Sequence, residues 1–141
     1  MPCMASASPS GLTQILLVSH SARIAEGLAE LLSQVAGPDV SIEAIGGASD
    51  GSLGTDGGRV MSALQNAVHG SGTVVVMDIG SSILAVRAAL SELEPEQLEK
   101  VFVADAPLVE GALAAAVTAS TGAPPEIVAK AAEEARNAAK L

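Results

Sequence analysis

ILLVSHSARIAEGLAELL, residues 15–32, runs four aliphatic residues into Ser19-His20-Ser21 and then into a helical repeat. Ile24, Leu28, Leu31, Leu32 and Val35 fall at offsets 0, 4, 7, 8 and 11, which is one face of an α-helix. An aliphatic run without inward–outward alternation marks a strand covered on both sides, as in a parallel sheet. The stretch is therefore strand, turn and helix, with a histidine at the turn. The same grammar continues along the chain. TVVVM (73–77) and VFVA (101–104) are further aliphatic runs, while VSIEAI (40–45) alternates, with Ser41 and Glu43 on one face. Val60, Met61, Leu64 and Val68 make a second helical face, and Ile83, Val86, Leu90 and Leu93 a third. A fourth helix is expected over 109–118. PPEIVAKAAEEARNAAKL, starting on proline and carrying the i,i+4 pair Glu126–Lys130, makes a fifth that runs to the C-terminus.

Strict strand–helix alternation predicts a single-domain α/β fold, a parallel four-stranded sheet with right-handed crossovers. The non-alternating strands 1 and 3 belong at its centre and the alternating strand 2 at an edge, which gives the order 2-1-3-4. This is a flavodoxin-like arrangement, and its ligand crevice lies beyond the carboxyl ends of strands 1 and 3, where the winding reverses. Ser19-His20-Ser21 stands at one of those ends and Asp78-Ile79-Gly80-Ser81-Ser82 at the other.

Composition narrows the function. Hydrophobic residues make up 49% of the 141, yet Phe102 is the only aromatic one, so the core must be built from Val, Ile, Leu, Met and Ala. A formal charge of −9 excludes a nucleic-acid binder, which needs a basic face. Cys3 is the only cysteine, so no intrachain disulfide or cysteine metal cluster can form. No window approaches the roughly 18 apolar residues of a membrane span, and no signal peptide is visible, so a cytoplasmic protein without membrane contact is expected. MPCMASASPSGL, residues 1–12, reads as a flexible tail ahead of a domain over 13–141.

A neutral imidazole has one nucleophilic nitrogen, and a carboxylate bonded to the other N–H selects which. An unperturbed imidazole is mostly neutral at pH 7, so a histidine needs no strong perturbation to attack an electrophile. Phosphoryl transfer relies on positioning and charge stabilisation. Ser19, Ser21, Ser81 and Ser82, with the N-termini of two helices, suit it. The plainer role for His20 and Ser21, capping the helix that follows, explains a serine but not a histidine. His69, at a helix C-terminus before glycine, is read as structural. GGASDGSLGTDGG, residues 46–58, has neither the P-loop lysine nor dinucleotide-fingerprint spacing. It follows strand 2 and so shares the rim of His20, where Thr55 and Asp56 could meet a phosphoryl group or partner. In DAPLVEG (105–111), Pro107 is expected to start a helix.

LVSHS before an amphipathic helix, GG…DG.LGTD after strand 2 and VVVMDIGSS after strand 3 together resemble the phosphotransfer subunit of the bacterial phosphoenolpyruvate-dependent dihydroxyacetone kinase. That family is related to the mannose-type EIIA domains of the sugar phosphotransferase system, and the resemblance spans roughly residues 13–122. It implies an EIIA-mannose-like fold and a phosphohistidine carrier. His20 would accept phosphate from the phosphocarrier HPr, with Asp78 orienting it. The phosphoryl group would pass to ADP on a second subunit, and the resulting ATP would phosphorylate dihydroxyacetone held by a third. Ser19, Ser21, Gly54, Thr55 and Ser81 would line the phosphoryl and partner site. A homodimer is implied, with no cofactor or metal on this chain.

Two alternatives remain within that chemistry: a mannose-type EIIA domain feeding a sugar transporter, against which the Gly-rich loop argues, and a regulatory phosphoprotein. A Ser-His-Asp hydrolase would need a Gly-x-Ser-x-Gly elbow. A response-regulator receiver would need an acidic cluster where this chain has Ser-His-Ser.

Overall fold

The computed structural model describes residues 11–67 and 71–141, so all but the end of the expected tail, together with Val68 and His69, lies outside the described residues. Strands β1 (Gln14–Ser19), β2 (Ile42–Gly46), β3 (Thr73–Met77) and β4 (Val101–Ala104) form one parallel sheet in the order β2-β1-β3-β4. The intervening helices are α1 (Ala22–Ala36), α2 (Gly57–Asn66), α3 (Ser81–Leu90), α4 (Pro95–Leu98), α5 (Leu108–Ser120) and α6 (Pro125–Glu134), with a 3-10 turn over Ala135–Asn137.

The central strands are aliphatic on both sides because both sides are covered. Ile15 and Leu17 of β1, with Val74 and Val76 of β3, join Leu28 and Leu32 of α1 and the small faces of α5 and α6. Leu16, Val18 and Val75 point the other way and join Val60 and Leu64 of α2 with Val86 and Ala89 of α3. Removing each such side chain from water contributes about 1.5–3 kcal/mol, so the layers hold without aromatic residues. On α5 the buried face is Gly111, Ala112, Ala115, Ala116 and Ala119, which lets α6 and the sheet approach closely.

Three details differ from the sequence reading. Only part of the α1 stripe is covered: Leu28 and Leu32 are buried, whereas Ile24, Leu31 and Val35 remain 50%, 42% and 49% exposed. The helix packs on the sheet through the narrower face that includes Ala25. The C-terminal helix stops at Glu134, and the chain beyond is drawn back toward the start of α5. There Arg136 pairs with Asp105 and bonds its carbonyl, and Lys140 pairs with Glu110. Finally, α4 was not anticipated, although Pro95 stands at its first turn and the Glu94 N–H donates to the Gln97 side chain at 2.8 Å.

Candidate functional site

β1 ends at Ser19 and α1 begins at Ala22, so His20 and Ser21 form the whole connection between them. Ser21 is the helix N-cap, its Oγ accepting from the Ile24 N–H at 3.3 Å. The end of β2 lies hard against this turn. A Cβ on Gly46 would sit 2.4 Å from the Ser21 carbonyl oxygen and 2.8 Å from the Ala22 Cα, so only glycine fits there.

The Gly-rich loop is tied to the same turn. The Gly54 N–H donates to the His20 carbonyl at 2.8 Å, and Gly47 and Thr55 form an isolated parallel bridge. At φ +142° Gly54 occupies backbone space that a side chain disfavours. The loop thus folds back and carries Thr55 across to α3, where its Oγ1 lies 2.7 Å from the Ser81 Oγ and 3.4 Å from the Ser82 Oγ.

Asp78, just past β3, gathers donors. It accepts from the Ser19 hydroxyl at 2.7 Å, the Ser82 hydroxyl at 2.7 Å, the Ile79 N–H at 2.6 Å and the His20 backbone N–H at 2.9 Å. Burial pushes this carboxyl up, but the bonds from Ser19, Ser82, His20 and Ile79 outweigh it and hold it below the usual carboxylate range.

The structure places His20 beside Asp78, but the expected contact is different. Asp78 holds the backbone of His20 rather than a ring N–H. The ring is held by Ser81, whose Oγ lies 2.8 Å from Nδ1. The reason is local: the Asp78 oxygens are filled by backbone N–H groups and two hydroxyls, and Ser81, opening α3, is within hydrogen-bond reach of the ring. Ser19 also departs from expectation, since it is fully buried and donates to Asp78 while accepting from the Ser21 N–H at 3.0 Å. Gly54 spends its N–H on His20, and Asp56 caps α2 by accepting from the Gly58 and Arg59 N–H groups. Pro107 leads into α5 as expected. The sequence placed these hydroxyls on one rim, and the spacing Asp78, Ser81, Ser82 puts the last two on a helical face with the residue before it, but their mutual bonds are seen only in the structure.

Exposed apolar side chains stand next to the site residues. Leu53 next to Gly54, Ile79 next to Asp78, and Leu84 in the first turn of α3 are 71%, 63% and 67% exposed. Among the described residues no group of three or more His, Cys, Asp or Glu side chains could hold a metal ion. No described helix is long and apolar enough to cross a membrane.

A family model described as the PTS system fructose IIA component, EIIA-man, matches residues 14–129. The phosphoryl donor subunit DhaM of PEP-dependent dihydroxyacetone kinase 2 from Listeria innocua is 42% identical over 106 residues, covering 75% of this chain and 85% of that one. The corresponding DhaM subunit from Escherichia coli is 40% identical over 115 residues, 79% of this chain but 24% of that protein, so the chain spans about a quarter of that relative's length. A crystal structure of a protein of unknown function, EF1359, matches with a TM-score of 0.79 at 35% identity, covering 92% of this chain and 97% of that one.

Proposed function

The chain belongs to the EIIA-man family, among its DhaM phosphoryl donor subunits, and on that premise we propose that it is a phosphohistidine carrier. His20 accepts a phosphoryl group from an HPr-type phosphocarrier and passes it to ADP on a partner subunit of dihydroxyacetone kinase. The ATP formed there phosphorylates dihydroxyacetone on a third subunit. The observation that carries this reading is the half-buried His20 ring at the carboxyl end of β1, with Nδ1 committed to Ser81.

With Nδ1 so engaged, Nε2 is the nitrogen left to attack phosphorus. As the Nε2–P bond forms, the N–P bond of the donor phosphohistidine breaks and its electron pair returns to the donor ring. In the second step a β-phosphate oxygen of ADP takes the phosphoryl group, and the Nε2–P electron pair returns to His20. The N-termini of α1 and α3 flank the histidine and favour the anionic group in transit. Leu53, Ile79 and Leu84 suit a protein partner that closes around the ring and excludes water, in which electrostatic stabilisation gains strength. The chain's charge of −9 requires that the ADP-bearing partner supply the cations screening both phosphates. We also infer a homodimer, since among the described residues β2 and β4 leave two open sheet edges.

The test is phosphorylation with phosphoenolpyruvate, Enzyme I and HPr. His20→Ala takes up no phosphate, whereas His69→Ala is labelled normally; equal labelling of His20→Ala refutes the site. Mixing the labelled chain with the two kinase subunits should then yield dihydroxyacetone phosphate. Failure there, with ready transfer to a mannose-type transporter subunit, would move the function to sugar uptake.

A further inference from the structure

The Gly-rich loop delivers one hydroxyl to the site, and its hydrogen-bond partners give it a direction. We propose that Thr55 is a positioning residue that fixes His20 as its Nδ1–H tautomer, leaving Nε2 bare, by directing a chain of hydroxyls from Asp78 to the ring. The proposal rests on the reading of His20 as the phosphoryl acceptor and supplies what selects the accepting nitrogen.

The proposed direction starts from the one link that chemistry fixes. An ionised carboxylate only accepts. Ser82, 2.7 Å from the Asp78 Oδ1, therefore spends its single hydrogen there and can only accept from Thr55, at 3.4 Å. In the proposed chain Thr55 gives its hydrogen to Ser82, the neighbour already fixed as an acceptor, and accepts from Ser81 at 2.7 Å. Ser81 then has no hydrogen left for the imidazole, 2.8 Å away, and accepts the Nδ1 hydrogen. Reversing the chain would leave Nδ1 as an acceptor, with the proton on Nε2 and no lone pair for the incoming phosphorus. The decisive link is Thr55. Among the described residues it is the one hydroxyl that touches both serines, and it also makes the longest bond of the chain. Without it, Ser81 is free to donate to Nδ1.

Thr55 is held for this task through the backbone. The Gly54 N–H is bonded to the His20 carbonyl and Thr55 is bridged to Gly47, so the loop and the histidine move as one unit. When Nε2 becomes phosphorylated, the Nδ1–H stays in place and the ring gains imidazolium character, which the chain relays toward the Asp78 charge.

The experiment is long-range proton–nitrogen NMR of the imidazole in the ¹⁵N-labelled full chain carrying His69→Gln, at a pH where His20 is neutral. The proposal expects a protonated, pyrrole-type Nδ1 and a bare, pyridine-type Nε2. Thr55→Val, which keeps the branched shape but loses the hydroxyl, should shift the ring toward Nε2–H; Thr55→Ser should keep the original pattern. Phosphoryl uptake from HPr should slow roughly tenfold or more in Thr55→Val, well short of the ~10⁴ that a fully wrong tautomer costs in a catalytic triad, and recover in Thr55→Ser. A bare Nδ1 in the parent chain, or an unchanged Nδ1–H pattern in Thr55→Val, overturns the proposal. The tautomer is read in the resting protein, so a failure of phosphoryl transfer with the expected pattern present would count against the carrier function alone.

Discussion

Replacing Asp78 by asparagine changes one oxygen to an amide NH₂ and removes the charge, in a position where every described neighbour donates. The two orientations are not equal. An NH₂ in place of Oδ1 meets the Ile79 N–H, which lies 2.6 Å away, and the Ser82 hydroxyl. In place of Oδ2 it meets the Ser19 hydroxyl and the His20 N–H, although that N–H keeps a second contact at 3.1 Å to the remaining oxygen. Hydroxyls can turn to accept, but a backbone N–H cannot, so the second orientation is preferred and the surviving bonds become neutral. A bond to a charged group is worth about 1.5–3 kcal/mol against about 1 for a neutral one. With two such bonds weakened at a half-buried site, Asp78→Asn should lower unfolding free energy by roughly 2 kcal/mol at pH 7. Urea unfolding of both proteins, with unchanged slope, measures this directly. Because the folded-state pKa of Asp78 lies below its ordinary value of 3.8, the carboxylate's contribution is complete above that value. It is lost as pH falls through the lower folded value. The gap between the two proteins should therefore be widest near neutrality and narrow in acid. A gap under about 0.5 kcal/mol, typical of an indifferent surface change, or one that persists undiminished in acid, would refute the reasoning.

Gly46→Ala should cost about 1–3 kcal/mol and impair phosphoryl uptake together, because its Cβ can be accommodated only by pushing the β1–α1 turn and His20 away from β2; unchanged stability and uptake would show that the turn yields freely. Leu32→Ala, at a fully buried position beneath α1, should cost about 2–5 kcal/mol while leaving the phosphorylation of the folded fraction unchanged. Lys140→Ala removes an exposed pair to Glu110 and should leave the unfolding midpoint where it was, since such pairs contribute little. Light scattering at micromolar concentration should give a dimer's mass, and a monomer's would contradict the homodimer.

The sheet order was legible in the sequence because burial on two faces leaves a direct chemical trace. ILLV and TVVVM lack alternation, VSIEAI has it, and right-handed crossovers then admit few arrangements. The same logic set His20 and Asp78 side by side, since both follow directly from the ends of adjacent strands. What the sequence could not determine was who bonds to whom. The contact between Thr55 and Ser81 spans 26 residues and depends on a loop folding back through Gly54 and Gly47. No local periodicity records such a closure. Likewise, a helical stripe shows that α1 has an apolar face but not how much of it the sheet can cover, so the exposure of Ile24, Leu31 and Val35 was decided by the width of the layer beneath. Periodicity reports burial residue by residue, whereas hydrogen-bond partnership is a property of three-dimensional closure. For that reason reading the chain put His20 and Ser81 on one rim, and only folding showed that they bond.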